Sequence, residues 1–251
     1  MSADFENQVV VITGASSGIG AALAEEIGSR GGAPVLVARR LEKLQAVALR
    51  SGPRALVVQG DVTVRSDVDE VLRATLAAFG RVDVWVNNAG RGINRSFEAL
   101  TDEDLDMMIR DNLKSALYGM QAVLPQMKKQ RRGAIVNVSS MLSRTPLFPA
   151  RSAYSASKAA LNSLTETLRL ELASEYPEIH ISTVLPGVVA TEFGNNAVGG
   201  GQDSRELPGA QAVEEVARVL ADGILTHRKD VYTRKEGFAQ VLGYLRGLAG
   251  E

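Results

Sequence analysis

The chain has 251 residues, 45% of them apolar, enough to bury one substantial core. Its 28 basic and 29 acidic side chains nearly cancel, which argues against an electrostatic nucleic-acid binder. It has no cysteine, hence neither a disulfide framework nor a thiolate metal site, and no apolar run reaches the ~18 residues of a membrane span. No basic-then-apolar leader opens it, so a cytoplasmic protein without membrane contact is expected.

Taken in chain order, short β-branched runs alternate with helical stretches. Val9–Ile12, Val35–Ala38, Ala55–Val58, Val82–Val86, Ala134–Val138 and Ile181–Leu185 read as buried parallel strands. Helices are expected over 19–30, 41–50, 66–79, 102–129 and 152–175. Such alternation implies an α/β fold: a single doubly wound parallel sheet of the Rossmann type, one domain over 1–251. Right-handed crossovers would bring Gly14, Arg39, Asp61, Asn88, Ser140 and Pro186, each just past a strand, to one edge of the sheet. Residues 192–211, rich in glycine and asparagine, interrupt the alternation; a loop of that length inside a domain is usually functional or mobile.

Two features carry chemistry. The first strand enters Gly14-Ala15-Ser16-Ser17-Gly18-Ile19-Gly20 and then a helix. Strand, glycine turn and helix is the context that suits a dinucleotide pyrophosphate, which meets free N–H groups at the helix start. The second feature is Tyr154 and Lys158, four apart on a helix face. A free tyrosine titrates near ~10. A cation at about 5 Å, in an effective dielectric of about 20, favours phenolate by roughly 3 kcal/mol, or about two pKa units. That would move Tyr154 toward the working range of a general acid or base.

Together these motifs resemble the short-chain dehydrogenase/reductase family, in its single-domain branch. Thr13–Gly20 is similar to the family's cofactor turn, Asn87-Asn88-Ala89-Gly90 to its motif after the fourth strand, and Pro186–Thr191 to its nicotinamide loop. Asn112, Ser140, Tyr154 and Lys158 fall where its catalytic tetrad belongs, and the resemblance runs from about Phe5 to Thr233. It implies an oxidoreductase interconverting a small-molecule carbonyl and an alcohol, assembled as a homodimer or homotetramer. Tyr154 would exchange the proton, Lys158 would also bind the nicotinamide ribose, and Ser140 would hold the substrate oxygen. Asn112 would bind a water linked to Lys158; a buried residue bonding the backbone is its structural alternative. Ser140 precedes Tyr154 by one residue more than is usual, with Met141 at the usual position, so the loop through Pro146 and Pro149 should absorb the excess. Ser139 and Ser143 are the other serines nearby.

The cofactor residues implied are Gly14, Ser16, Ser17, Gly18, Ile19, Gly20, Arg39, Arg40, Asp61, Val62, Asn88, Ala89, Gly90, Tyr154, Lys158, Pro186, Gly187, Val189 and Thr191. Asp61 would meet the adenine, or else cap a helix. Ala38 stands where an acidic residue would select NAD, and arginines follow; their charge and fork geometry suit a 2′-phosphate. NADP(H) is therefore expected, with Arg39 the main contact and Arg40 the second. NAD(H) stays as the alternative, since the glycine turn carries Ser17 rather than a basic residue. By family position, 192–211 would be the substrate lid. Neither His180 nor His227 has metal-ligand spacing, and Gly-x-Ser-x-Gly is absent, so no metal and no serine hydrolase are expected. After Asp230–Thr233 the chain lacks the strand end with Asp-Gly-Gly typical of ketoacyl reductases, and its tail looks closer to hydroxysteroid dehydrogenases. Phe238, Val241, Leu242, Leu245 and Leu248 could form one apolar stripe.

Overall fold

Buried on both faces, the β-branched runs form a single sheet in a computed structural model that describes residues 5–250. Its strands are β1 (Val9–Thr13), β2 (Ala33–Ala38), β3 (Leu56–Gln59), β4 (Val84–Asn87), β5 (Gly133–Val138), β6 (Ile179–Leu185) and β7 (Asp230–Tyr232). They lie in the order β3-β2-β1-β4-β5-β6-β7, every pair parallel. The helices are α1 (Gly18–Ser29), α2 (Leu41–Ala48), α3 (Arg65–Phe79), α4 (Asp102–Ile109), α5 (Ser115–Gln130), α6 (Ser152–Leu172), α7 (Val213–Leu225) and α8 (Gly237–Ala249). Among the described residues none is long and apolar enough to cross a membrane.

Strand alternation splits the core in two. Val10, Ile12, Leu36, Val86 and Val136 point to the face covered by α1, α2 and α7. Val9, Val11, Val35, Trp85 and Ile135 point to the face covered by α3, α5 and α6. Each such side chain, fully buried, contributes about 1.5–3 kcal/mol. A buried polar chain crosses the second face. Trp85 Nε1 donates to Asn87 Oδ1 at 2.8 Å, Asn87 Nδ2 to Asn137 Oδ1 at 2.8 Å, and Asn137 Nδ2 to Thr165 Oγ1 at 2.9 Å. It ties the sheet centre to α6, the helix that carries Tyr154 and Lys158.

The elements differ from the sequence expectation in three respects. The helix expected over 102–129 is broken by a π-helical segment, Arg110–Lys114. A strand of three residues, β7, pairs with β6 through Val184↔Val231; a run that short carries no readable period. Two helices, α7 and α8, follow the expected five.

The order reverses between β2 and β4 on either side of β1. At such a switch point the flanking connections leave in opposite directions, and a crevice opens beyond the C-terminal strand ends.

Candidate active site

That crevice is a cavity of about 910 Å³. Its floor begins at the glycine turn. Gly14 has φ +68, and a Cβ there would come within 2.9 Å of the Ala89 backbone; Gly18 has φ +56. Both are conformations that side chains penalise. Thr13 locks this turn to β4: its hydroxyl accepts from the N–H groups of Asn88 and Ala89 at 2.9 and 3.0 Å. The Asn88 amide donates back to Thr13 O at 2.8 Å. Asn88 thus spends its amide N–H groups on the turn itself, and Thr13, the first residue of the motif, organises it. Gly20 packs against the same amide.

The two arginines after β2 divide their work. Arg40 Nη2 donates to Ser16 Oγ and to Ser17 Oγ, both at 3.0 Å. Ser17 precedes α1 and makes no side-chain cap, so the first N–H groups of that helix keep their positive end toward the cavity. Arg39 is exposed and pairs with Asp61 at 3.7 Å. Asp61 also accepts from the N–H and hydroxyl of Thr63 at 3.0 and 2.8 Å. Burial pushes the Asp61 carboxyl up, but those hydrogen bonds and the charges of Arg39 and Arg110 outweigh it, leaving its pKa below the usual value. α3 starts later, at Arg65, so Asp61 closes a turn rather than capping that helix. Ile19, Val62, Gly90, Pro186, Gly187 and Val189 line the same cavity. Thr191 closes over the glycine turn, its methyl 3.3 Å from where a Gly18 Cβ would stand.

At the other end stand Ser140, Tyr154 and Lys158. The three serines sort by their partners. Ser139 Oγ donates to Lys158 O at 3.3 Å. Ser143 is held between Ser140 O, to which it donates, and the Asn162 amide, from which it accepts at 2.7 Å. Ser140 Oγ accepts from Leu142 N at 3.1 Å and is the polar side chain that acts on the Tyr154 phenol. Two 3₁₀ turns, Met141–Ser143 and Pro149–Arg151, lie in the loop between Ser140 and α6.

Lys158 is buried, and its Nζ donates to Val138 O at 2.8 Å. Burial pushes its pKa down to about 8. Its ammonium lies 6.0 Å from the centre of the Tyr154 ring. The anticipated depression of the tyrosine pKa is absent. Burial pushes the phenol up, opposed by the Ser140 hydrogen bond and the charge of Arg151. Desolvation wins because Lys158 is turned toward the Val138 carbonyl and the Arg151 charge does not offset burial.

Asn112 sits in the π-helical segment, as irregular helix often does at sites. Its Oδ1 accepts from Arg91 N at 2.8 Å, and its Nδ2 donates to Arg91 O at 3.0 Å and Ser157 Oγ at 3.2 Å. The side chain thereby ties the loop after β4 to α6, and one lone pair of Oδ1 is left over.

Residues 192–211 are tied down at both ends. Ile93 bridges Val198, and Val189 bridges Gln211, whose side chain exchanges hydrogen bonds with Thr233 at 2.7 and 2.9 Å. Phe193 stands edge-on to Tyr154, ring centres 5.6 Å apart. Phe193 and Arg151 lie in the site with no sequence motif to mark them. His180 and His227 are remote from the cavity lining and stack on each other at 3.6 Å.

The family model for short chain dehydrogenases matches residues 8–199. An 11-beta-hydroxysteroid dehydrogenase-like protein of Arabidopsis thaliana is 35% identical over 252 positions, covering 97% of this chain and 81% of that one. A short-chain dehydrogenase from Sphingobium yanoikuyae, solved in complex with NADPH, is 32% identical with a TM-score of 0.81, over 97% of this chain and 95% of that one. A short-chain dehydrogenase/reductase from Burkholderia phymatum, solved in complex with NAD, is 27% identical with a TM-score of 0.86, over 95% and 93%. With the doubly wound sheet and its crevice, these likenesses make the chain a member of the short-chain dehydrogenase/reductase family, an NAD(P)-dependent oxidoreductase.

Proposed function

We propose that the protein interconverts a carbonyl and an alcohol with NADP(H), using Tyr154 as the general acid and base. The observation that carries this reading is convergence. Ser140, Tyr154 and Lys158 line the same cavity as the uncapped start of α1 and the Arg39–Arg40 pair.

The cradle fits a dinucleotide. The glycine turn holds side chains back, the free N–H groups of α1 suit a pyrophosphate, and the cavity runs from there to Tyr154. Arg39 and Arg40 would take the 2′-phosphate, Arg40 together with Ser16 and Ser17. Bound there, the nicotinamide supplies or accepts hydride at its C4.

The chain's own residues handle the proton and the oxygen. Because burial keeps the Tyr154 phenol protonated at neutral pH, it is ready to donate to a carbonyl oxygen. Ser140 would hold that oxygen and stabilise its growing charge. Lys158, with a pKa brought down to about 8, can return a proton toward the tyrosine near neutrality. Asn112 acts by position, fixing Arg91 and the loop beside Lys158. Residues 192–211 would cover the substrate, with Phe193 against Tyr154. Initial rates with NADPH and NADH over a panel of ketones and aldehydes test the reading; no turnover with either cofactor would end it.

One observation favours a second reading. The Arg39–Asp61 pair already satisfies part of the charge near the ribose pocket, as an NAD(H) site would permit. A lower KM for NADH than for NADPH would select it.

A further inference from the structure

The 3₁₀ turn Pro149–Arg151 delivers Arg151 one turn ahead of Tyr154 on α6. Arg151 lines the cavity beside Tyr154 and Ser140. Its Nη1 is buried, and among the described residues nothing accepts a hydrogen bond from it. Nor does any described carboxylate pair with it, whereas Arg39 and Arg91 on the same cavity each have an aspartate. A Cβ on Gly92 would fall 2.9 Å from Nη1 and 2.9 Å from the Phe193 ring, so guanidinium and ring meet across that glycine. Phe193 in turn faces Tyr154.

A guanidinium cannot escape burial by losing its proton at any ordinary pH, so water removed from it must be replaced by another acceptor. Tyr154 is the one group whose charge would favour the Arg151 cation, and burial keeps that phenol neutral. The acceptor then comes from outside the chain, either water or a group on a bound ligand that displaces it. The planar fork of arginine matches a carboxylate in geometry and in charge. The walls nearby, Leu147 and Phe148, are exposed apolar side chains suited to the carbon chain between two polar ends.

We propose that Arg151 is the specificity-determining residue of this site and that the substrate is an oxo acid, or the corresponding hydroxy acid, whose carboxylate pairs with Arg151. The inference rests on the carbonyl–alcohol reading above. In reduction, hydride from NAD(P)H forms the new C–H bond at the carbonyl carbon, the C=O π pair moves to oxygen, and Tyr154 supplies the O–H proton. The carboxylate is unchanged in either direction.

The test compares wild type, Arg151→Met and Arg151→Lys on the positional isomers of oxohexanoate, their methyl esters and a phosphorylated ketone, with each cofactor. A charge-assisted hydrogen bond predicts that the best oxo acid exceeds its ester by about tenfold to hundredfold in kcat/KM. Arg151→Met should abolish that ratio, and Arg151→Lys should keep part of it. Binding is read separately by calorimetry of non-reducible hexanoate and hexanamide with the wild-type NADPH complex, which needs no variant to fold. Hexanoate should bind about tenfold more tightly or better. Equal use of acid and ester, equal binding of hexanoate and hexanamide, or a preference for the phosphorylated ketone overturns the proposal while leaving the oxidoreductase reading intact. Absence of turnover with every carbonyl removes both.

Discussion

The two ends of the cavity differ in how far the chain completes its own hydrogen bonding. At the cofactor end, Arg40 holds Ser16 and Ser17, Arg39 meets Asp61, Asp61 holds Thr63, and Thr13 holds Asn88 and Ala89. At the substrate end, a buried Arg151 nitrogen has no described partner, and Phe148 and Leu147 stand exposed. The first end is organised in advance, which lowers the ordering cost of binding. The second is incomplete until something enters it. A preorganised end can serve one invariant cofactor, whereas specificity for a substrate is set where groups are left wanting.

The sharpest break in this comparison is at Tyr154. Tyr154→Phe keeps the ring against Phe193 but has no proton to give, so turnover should fall by about a hundredfold or more. NADPH affinity, measured by fluorescence titration, should hardly move because the other end is untouched. Retention of more than about a tenth of wild-type kcat would remove Tyr154 from the proton-transfer role.

Next in size is the serine. Ser140→Ala should lower kcat/KM by about a hundredfold if it supports the charged oxygen. Ser139→Ala and Ser143→Ala should have smaller effects, since those hydroxyls serve Lys158 O and Asn162. A more severe loss in Ser143→Ala would reverse the assignment.

The cofactor end gives the third test. Arg39→Ala and Arg40→Ala should each weaken NADPH binding by roughly tenfold to a hundredfold. Because Arg40 also braces Ser16 and Ser17, its loss should weaken NADH too, whereas Arg39→Ala should leave NADH nearly unchanged. Equal damage to both cofactors by Arg39→Ala would argue against a 2′-phosphate contact.

The smallest effect lies outside the cavity. Burial first, and then the neighbouring His227, push the His180 pKa below its ordinary value. The unfolded chain therefore binds more protons than the folded one just below that value. This contribution is full above pH ~6.5 and is lost as pH falls below it. His227→Asn, which tolerates the local φ of 51, should make the fall of Tm with acidification shallower. Identical slopes in wild type and variant would show that the stacked pair does not matter to stability.

Local sequence was enough for several features of this protein. Continuous β-branched runs specify strands, because burying both faces of a parallel sheet requires them. Glycines at Gly14 and Gly18 announce positive φ, and the four-residue spacing of Tyr154 and Lys158 announces a shared helix face. Other features depended on partners distant in sequence. β7 exists only because β6 offers it an edge, and the π-helical turn at Asn112 shows no mark in the residue pattern. Whether Arg39 or Arg40 reached the glycine turn was set by how β2 and α2 meet. The direction of the Tyr154 shift was decided likewise: spacing places a cation nearby, but burial depends on every element that closes over the ring, and here desolvation outweighs charge. Arg151 is the extreme case. In sequence it is one more arginine among the 28 basic residues, and only the tertiary packing beside Gly92 and Phe193 buries its Nη1 without a partner among the described residues.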